Sequence, residues 1–226
     1  MKMTPLSIEI FADKIPPSTF SRSGKVFYSG REAFSSPASL YALGVNPGGA
    51  PANHDEETVE SHTCDVLHTL APNWSAYRDE SWEGQKPGTY GMAPRVLHLF
   101  KSLGLNPGHV PCSNLYFVRS PREADITPAE AKALSDLCWP FHAHVIEKLK
   151  PRSILCFGKT AGNYVRTKLE ANTLVGQFVE TNNRHWQSQA FSNSIGVKVI
   201  VATHPSIADW TAKDTDPTQL ILESLH

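Results

Sequence analysis

The sequence predicts an α/β fold, a three-layer α/β/α arrangement around a central four-stranded, mainly parallel sheet. Three observations carry that prediction. Residues 39–45, 113–118, 153–157 and 197–203 are short apolar runs rich in β-branched or aromatic residues, the pattern of buried strands. Each run ends in turn formers or charges. Helical patterns lie between the runs, and strands alternating with helices imply parallel pairing with both sheet faces covered.

Taken in order, residues 1–38 are the least regular part and are expected to pack on the sheet as a helix and loops. Residues 54–87 form a long, aromatic and polar stretch without a clear period, and such loops are often functional. From Pro94 to Leu103 the residues Val96, Leu97, Phe100 and Leu103 share one helical face, with Gly104 as C-cap. The longest helix opens at Thr127-Pro128-Ala129-Glu130, a capping box with proline at the first helical position. Its stripe runs through Leu134, Leu137, Cys138, Phe141, Val145 and Leu149, with a kink expected at Pro140. Further helices are expected from Lys159 and from Asp216-Pro217.

A length of 226 residues suits one core and is short for two, so residues 1–226 read as one domain. The composition, 40% hydrophobic and 19% charged, is that of a globular protein. No apolar run approaches the roughly 18 residues of a membrane span, and the N-terminus lacks the apolar block of a signal peptide. A cytoplasmic monomer without membrane contact is expected. The four cysteines, Cys64, Cys112, Cys138 and Cys156, are widely spread and contain no C-x-x-C pair, which argues against a disulfide framework or zinc ribbon. His54, His62, Cys64 and His68 match no metal-ligand spacing, so neither metal nor cofactor is expected. The net charge of −1 gives no global attraction to nucleic acid. Any such contact needs a local basic face, for which Lys148, Lys150, Arg152, Lys159, Arg166 and Lys168 are candidates; a solvated helix face explains most of them equally well.

Ligands of open α/β sheets bind beyond the carboxyl ends of the strands. That rule selects residues 46–50, 119–122, 158–161 and 204–210. Gly44-Val45-Asn46-Pro47-Gly48-Gly49 closes the first strand as a rigid turn, and Thr203-His204-Pro205-Ser206 closes the last. Asn114 lies among apolar neighbours on the second strand. Singly, each has a structural explanation; together they form a constellation.

That constellation resembles the uracil-DNA glycosylase superfamily. Gly44-Val45-Asn46-Pro47-Gly48 is similar to the water-positioning motif of the mismatch-specific and single-strand-selective branches, and His204-Pro205-Ser206 to the second superfamily motif. Ser113-Asn114-Leu115-Tyr116, the helix from Thr127, and the segment from Leu149 to Ala161 resemble the iron–sulfur branch. The likeness covers about residues 40–210. It implies a monofunctional DNA glycosylase acting on a flipped base in DNA. Asn46 would hold the attacking water, Asn114 would read the base, and His204 would stabilise the negative charge that develops on it. An amide can orient water but cannot deprotonate it, so leaving-group stabilisation carries more of the catalysis.

Four departures qualify the resemblance. The cluster-ligating cysteines are missing as a set, with only Cys138 near such a position, so no iron–sulfur cluster is expected. Gly48 stands where uracil-specific relatives carry a tyrosine that excludes a C5 methyl group, so Gly48 and Gly49 are expected to admit 5-substituted pyrimidines. The arginine common after the second motif is missing, leaving Ile207 or Trp210 as the wedge, with Ser206 and Lys159 as DNA contacts. The base-stacking aromatic is expected at Tyr90, with Tyr77 and Trp74 behind it. Three other readings stay open: excision of bulky modified cytosine from phage DNA in antiviral defence, a non-catalytic nucleic-acid-binding protein of the same fold, and a nucleotide-binding α/β protein. The last is weakened by the lack of a glycine-rich phosphate loop at the first strand end.

Overall fold

The computed structural model describes residues 5–226; residues 1–4 of the N-terminal segment lie outside that range. Six strands are present: β1 (Leu40–Gly44), β2 (Cys112–Asn114), β3 (Ser153–Phe157), β4 (Thr173–Val179), β5 (Gln187–Ser192) and β6 (Lys198–Ala202). The helices are α1 (Glu9–Ala12), α2 (Val59–Cys64), α3 (Ala76–Asp79), α4 (Ala93–Ser102), α5 (Pro128–Leu149), α6 (Lys159–Leu169) and α7 (Thr218–Ser224). One sheet contains all six strands in the order β2-β1-β3-β6-β5-β4.

The α/β class agrees with the sequence pattern, but the sheet is mixed and six-stranded rather than four-stranded. The four expected strands are its parallel part, β2-β1-β3-β6. A hairpin, β4 and β5, extends it antiparallel from β6. The reason for the miss is chemical. β4 is largely exposed and β5, Gln187-Ser188-Gln189-Ala190-Phe191-Ser192, buries small residues between polar ones. Neither forms the apolar run by which buried strands are found.

Helices cover both faces. On one side α5 and α6 pack: His142 of α5 bonds Tyr41 of β1, and Gly162 of α6 lies against Val201 of β6. On the other, Tyr77 of α3 meets Phe157 of β3 and Phe100 of α4, and Ser153 Oγ donates to the Ser224 carbonyl of α7 at 2.6 Å. The N-terminal segment packs over α5, Phe11 against Phe34 and His144, and Phe27 against Phe141. Thr127 caps α5 by accepting from the Glu130 amide, and the helix runs through Pro140 without interruption. Cys112, Cys138 and Cys156 are buried free thiols, while Cys64 is free and exposed. Within the basic set, Lys168 pairs with Asp136, Arg166 stacks on Phe191, and Arg152 bonds the Leu225 carbonyl. Among the described residues no helix is long and apolar enough to cross a membrane.

One buried bridge ties helix to sheet. The Leu115 carbonyl can only accept, so His142 donates to it from Nε2 (3.0 Å) and accepts from the Tyr41 hydroxyl at Nδ1 (2.8 Å). Burial lowers its pKa to about 4. His62 is likewise lowered to about 3, by burial and then by Lys25 and Arg119. Both are neutral when folded, whereas the unfolded chain takes up their protons near the ordinary imidazole pKa of about 6.5. Their folded pKa values are depressed, so acid favours the unfolded state. Stability should therefore fall as pH drops from about 6.5 towards 4, by about 1.4 kcal/mol per pH unit for each histidine. Urea denaturation across that range measures the slope, and His142→Phe should remove about half of it.

Candidate active site

The carboxyl ends of the parallel strands open into a cavity of about 1380 Å³. Asn46 follows β1, Asn114 ends β2, Gly158 follows β3 and His204 follows β6, and all four line it. The facing walls come from the long segment after the first motif (His54, Glu57, Glu80, Trp82) and from the hairpin (Trp186, Gln187, Gln189).

Backbone pairing beyond the strand ends builds the chemical corner. Leu115 donates to the Gly44 carbonyl (2.9 Å), Tyr116 to Val45 (3.1 Å) and Ser120 to Pro47 (3.2 Å), so the chain after β2 follows the first-motif turn. Asn46 Nδ2 is used twice, donating to the Pro47 carbonyl (2.9 Å) and to Ser120 Oγ (2.8 Å). Ser120 in turn donates to the Arg122 carbonyl. These bonds fix the amide orientation and leave Asn46 Oδ1 as an acceptor with no hydrogen bond among the described residues. Arg119 is buried and holds the same turn, donating to the Gly48 carbonyl, to Glu57 and to Ser23 Oγ.

Asn114 is 5% exposed and pairs in register with Gly44 of β1. A Cβ at position 44 would run into Asn114 Oδ1, so only glycine admits this placement. Asn114 Nδ2 has no partner among the described residues. Gly49 takes a φ of +97°, a backbone conformation suited to glycine. Around Gly48, an exposed residue at the cavity lining, nothing approaches within 4 Å of a would-be Cβ.

His204 is oriented by its own turn. Nδ1 accepts from the Ser206 amide (3.0 Å) and lies 2.7 Å from Ser206 Oγ. An imidazole that accepts at Nδ1 carries its proton on Nε2. Burial lowers its pKa, with Glu123 opposing, and the neutral ring therefore presents an N–H donor. The turn is braced from both sides: Arg95 of α4 donates to the Pro205 carbonyl and Arg184 of the hairpin to the Ile207 carbonyl (2.7 Å).

A charge cluster around two buried cations completes the inner wall. Lys25, 5% exposed, pairs with Glu57 at 3.0 Å and with Glu80, and Glu57 also holds Arg119. Burial, then the Glu80 charge, raises the pKa of the Tyr28 phenol. At the mouth stand Tyr90 and Ile207, both exposed, Lys159 at the start of α6, and Trp186 under the Arg184 guanidinium at 4.2 Å.

The structure thus brings Asn46, Gly48, Gly49, Asn114, Tyr90, Lys159, His204, Ser206 and Ile207 to one cavity. Trp210 is a correction. It is fully buried, packed on Phe157 and bonded through Nε1 to the Thr203 carbonyl, because the turn after His204 folds it back into the core. Trp74 is also core, packed against His62, while Tyr77 is buried yet reaches the cavity lining. Sequence reasoning missed Lys25, Glu57, Glu80, Arg184 and Trp186. Arg119 lay in a flagged strand-end segment, but long-range ion pairs left no local signal. No group of three or more His, Cys, Asp or Glu side chains among the described residues is placed to hold a metal ion. No protein-family model matches the chain, and no curated protein is significantly similar to it.

Gly44→Ala should shift the Asn114 side chain, the group that a new Cβ would meet, and lower stability in urea denaturation only slightly. A crystal structure of the variant showing Asn114 unmoved would contradict the close-packing account.

Proposed function

We propose that this protein is a monofunctional DNA glycosylase of the uracil-DNA glycosylase type, hydrolysing the N-glycosidic bond of a flipped pyrimidine and leaving an abasic site. The observation that carries the reading is the convergence of three oriented groups on one cavity from three parallel strand ends. Asn46 offers an acceptor, Asn114 a donor and His204 a neutral N–H donor.

The chemistry suits those groups. Glycosidic cleavage develops positive charge on the sugar and negative charge on the departing base. Water held at Asn46 Oδ1 needs position more than deprotonation, because the oxocarbenium-like sugar is a strong electrophile. A fixed N–H at His204 Nε2 stabilises the oxyanion of the leaving base. Lys25, the lysine on the inner wall, donates its ammonium to two carboxylates, so it offers no free amine for Schiff-base chemistry; Lys159, the other lysine on the lining, is placed by this reading at the phosphates.

Two features favour a 5-substituted pyrimidine over plain uracil. The space beside Gly48 is open, and the cavity of about 1380 Å³ is much larger than a pyrimidine ring requires. A bulky modified cytosine, hydroxymethylated or glycosylated as in phage DNA, fits that description, and the role would then be defence rather than repair. DNA would enter over Ile207, the exposed wedge that fills the vacated stack, with Lys159 and Ser206 at the phosphates and Tyr90 at the rim.

Duplexes and single strands carrying uracil, mismatched thymine, 5-hydroxymethylcytosine or glucosylated cytosine, followed by alkaline cleavage, test the reading. Asn46→Ala and His204→Ala should each slow base release by about 10²–10³-fold. Undiminished strand breakage in both would remove the mechanism, and binding without release, indifferent to Asn46→Ala, would favour a non-catalytic binding protein. Ile207→Gly should weaken release from duplex DNA by about tenfold or more and spare single strands; equal loss on both would deny it the wedge role.

A further inference from the structure

Two exposed apolar residues at the cavity mouth share one support. Trp186, 39% exposed, and Ile207, 56% exposed, both line the opening. Arg184 joins them: its guanidinium lies 4.2 Å over the Trp186 ring, and its Nη1 donates to the Ile207 carbonyl at 2.7 Å. The loop that carries Arg184 and Trp186 is fixed from beneath. Glu180 is buried, and its carboxylate accepts from Arg184 Nη2 and from Asn182 Nδ2, each at 3.0 Å. The Glu180 amide donates to the Trp186 carbonyl at 2.8 Å, which closes the loop on itself. With the guanidinium over one face, the exposure that Trp186 keeps belongs to its other face and its edges.

The chemistry around that ring selects its ligand. Gln187 and Gln189, which line the cavity next to it, carry uncharged amides that both donate and accept. The charge of Arg184 is paired with Glu180. Such a surface is a poor match for phosphate and a good one for a flat ring with polar edges, and every nucleobase has a π-face to offer. Flipping a base out of DNA leaves such rings behind, the partner it was paired with and the neighbours it was stacked on. Resting on the glycosylase reading above, in which Ile207 fills the vacated stack, we infer that Trp186 is a second stacking platform, which takes a base left without its partner or its neighbour rather than the flipped base itself. Arg184 holds wedge and platform together, so insertion of Ile207 brings the Trp186 ring to the DNA in the same step.

The discriminating experiment removes the target base altogether. Each probe carries a tetrahydrofuran abasic analogue at the target position, so nothing is left to excise and no Trp186 effect can come from a flipped ring. Duplexes place adenine or a second abasic spacer opposite the analogue. Single strands keep the bases on either side of it or replace them with spacers. Affinity is the readout. Wild-type protein should bind the base-bearing member of at least one pair about tenfold or more tightly, the size expected for one base–aromatic stack. A gap in the duplex pair assigns the opposite base, and a gap in the single-strand pair assigns the neighbours. Trp186→Leu, which keeps apolar bulk without a π-face, should bring that pair within about threefold, and Trp186→Phe should keep most of the gap. No gap in either pair, no binding to any probe, a gap unchanged in folded Trp186→Leu, or a Trp186→Phe loss as large as that of Trp186→Leu would each overturn the inference. Should the leucine variant fail to fold, 5-iodouracil at the base that produced the gap is irradiated with wild-type protein. A cross-link mapped to Trp186 keeps the inference, and one mapped elsewhere overturns it. Base release is scored separately on the cleavable duplexes. A stacking gap without release removes the glycosylase reading and keeps this one, and release without a gap does the reverse.

Discussion

The pairing of Gly44 with Asn114 across β1 and β2 is the contact on which the chemical corner is built. Two main chains run side by side there, and the missing Cβ lets an amide close over the strand. The register set at that point continues past the end of the sheet, through bonds from Leu115, Tyr116 and Ser120 to the Gly44–Pro47 turn. Asn46 and Asn114 are therefore not placed independently. A one-residue slip of β2 along β1 would turn Asn114 to the other face and undo the Ser120 contact that holds Asn46.

The buried ions extend that constraint outwards. Arg119 grips the Gly48 carbonyl and Glu57, Glu57 grips Lys25, and Lys25 grips Glu80. Burying such charges has a large desolvation penalty, and their mutual attraction offsets it only when the geometry is good and no partner is missing. The chain of contacts joins the first-motif turn to a segment far along the sequence. It turns a long irregular loop into a wall with fixed polar atoms, a form of pre-organisation that lowers the cost of ordering a bound ligand.

Much of the α/β pattern and of the chemical corner was legible because both depend on local signals. Apolar runs marked the parallel strands, Thr127-Pro128 marked the start of α5, and the turn residues at Asn46 and His204 stood out at strand ends. The hairpin was illegible because β5 alternates polar residues with small ones and β4 lies mostly in solvent. Trp210 misled because a turn ends its exposure, and the sequence alone does not reveal which way a turn sends the next aromatic. The Lys25–Glu57–Glu80–Arg119 cluster left no trace because ion pairs of high sequence separation have no periodicity. Arg184 reaches the turn after His204 from another element.

The hairpin also divides the labour of the molecule. The groups proposed to act on the glycosidic bond sit on parallel strand ends held by crossover helices, where a shift of one residue disturbs the whole core. The outer wall of Trp186, Gln187 and Gln189 belongs to an antiparallel ribbon at the sheet edge. Such a ribbon can lengthen by a residue on each arm, or change its tip, while the other four strands stay in register. Change at Gln187 and Gln189 can thus reshape what the cavity admits, while Arg184 and Ser188 of the same ribbon stay tied to the turn that carries His204. Lineages of this protein would be expected to diverge first at Gln187 and Gln189 and last around Gly44.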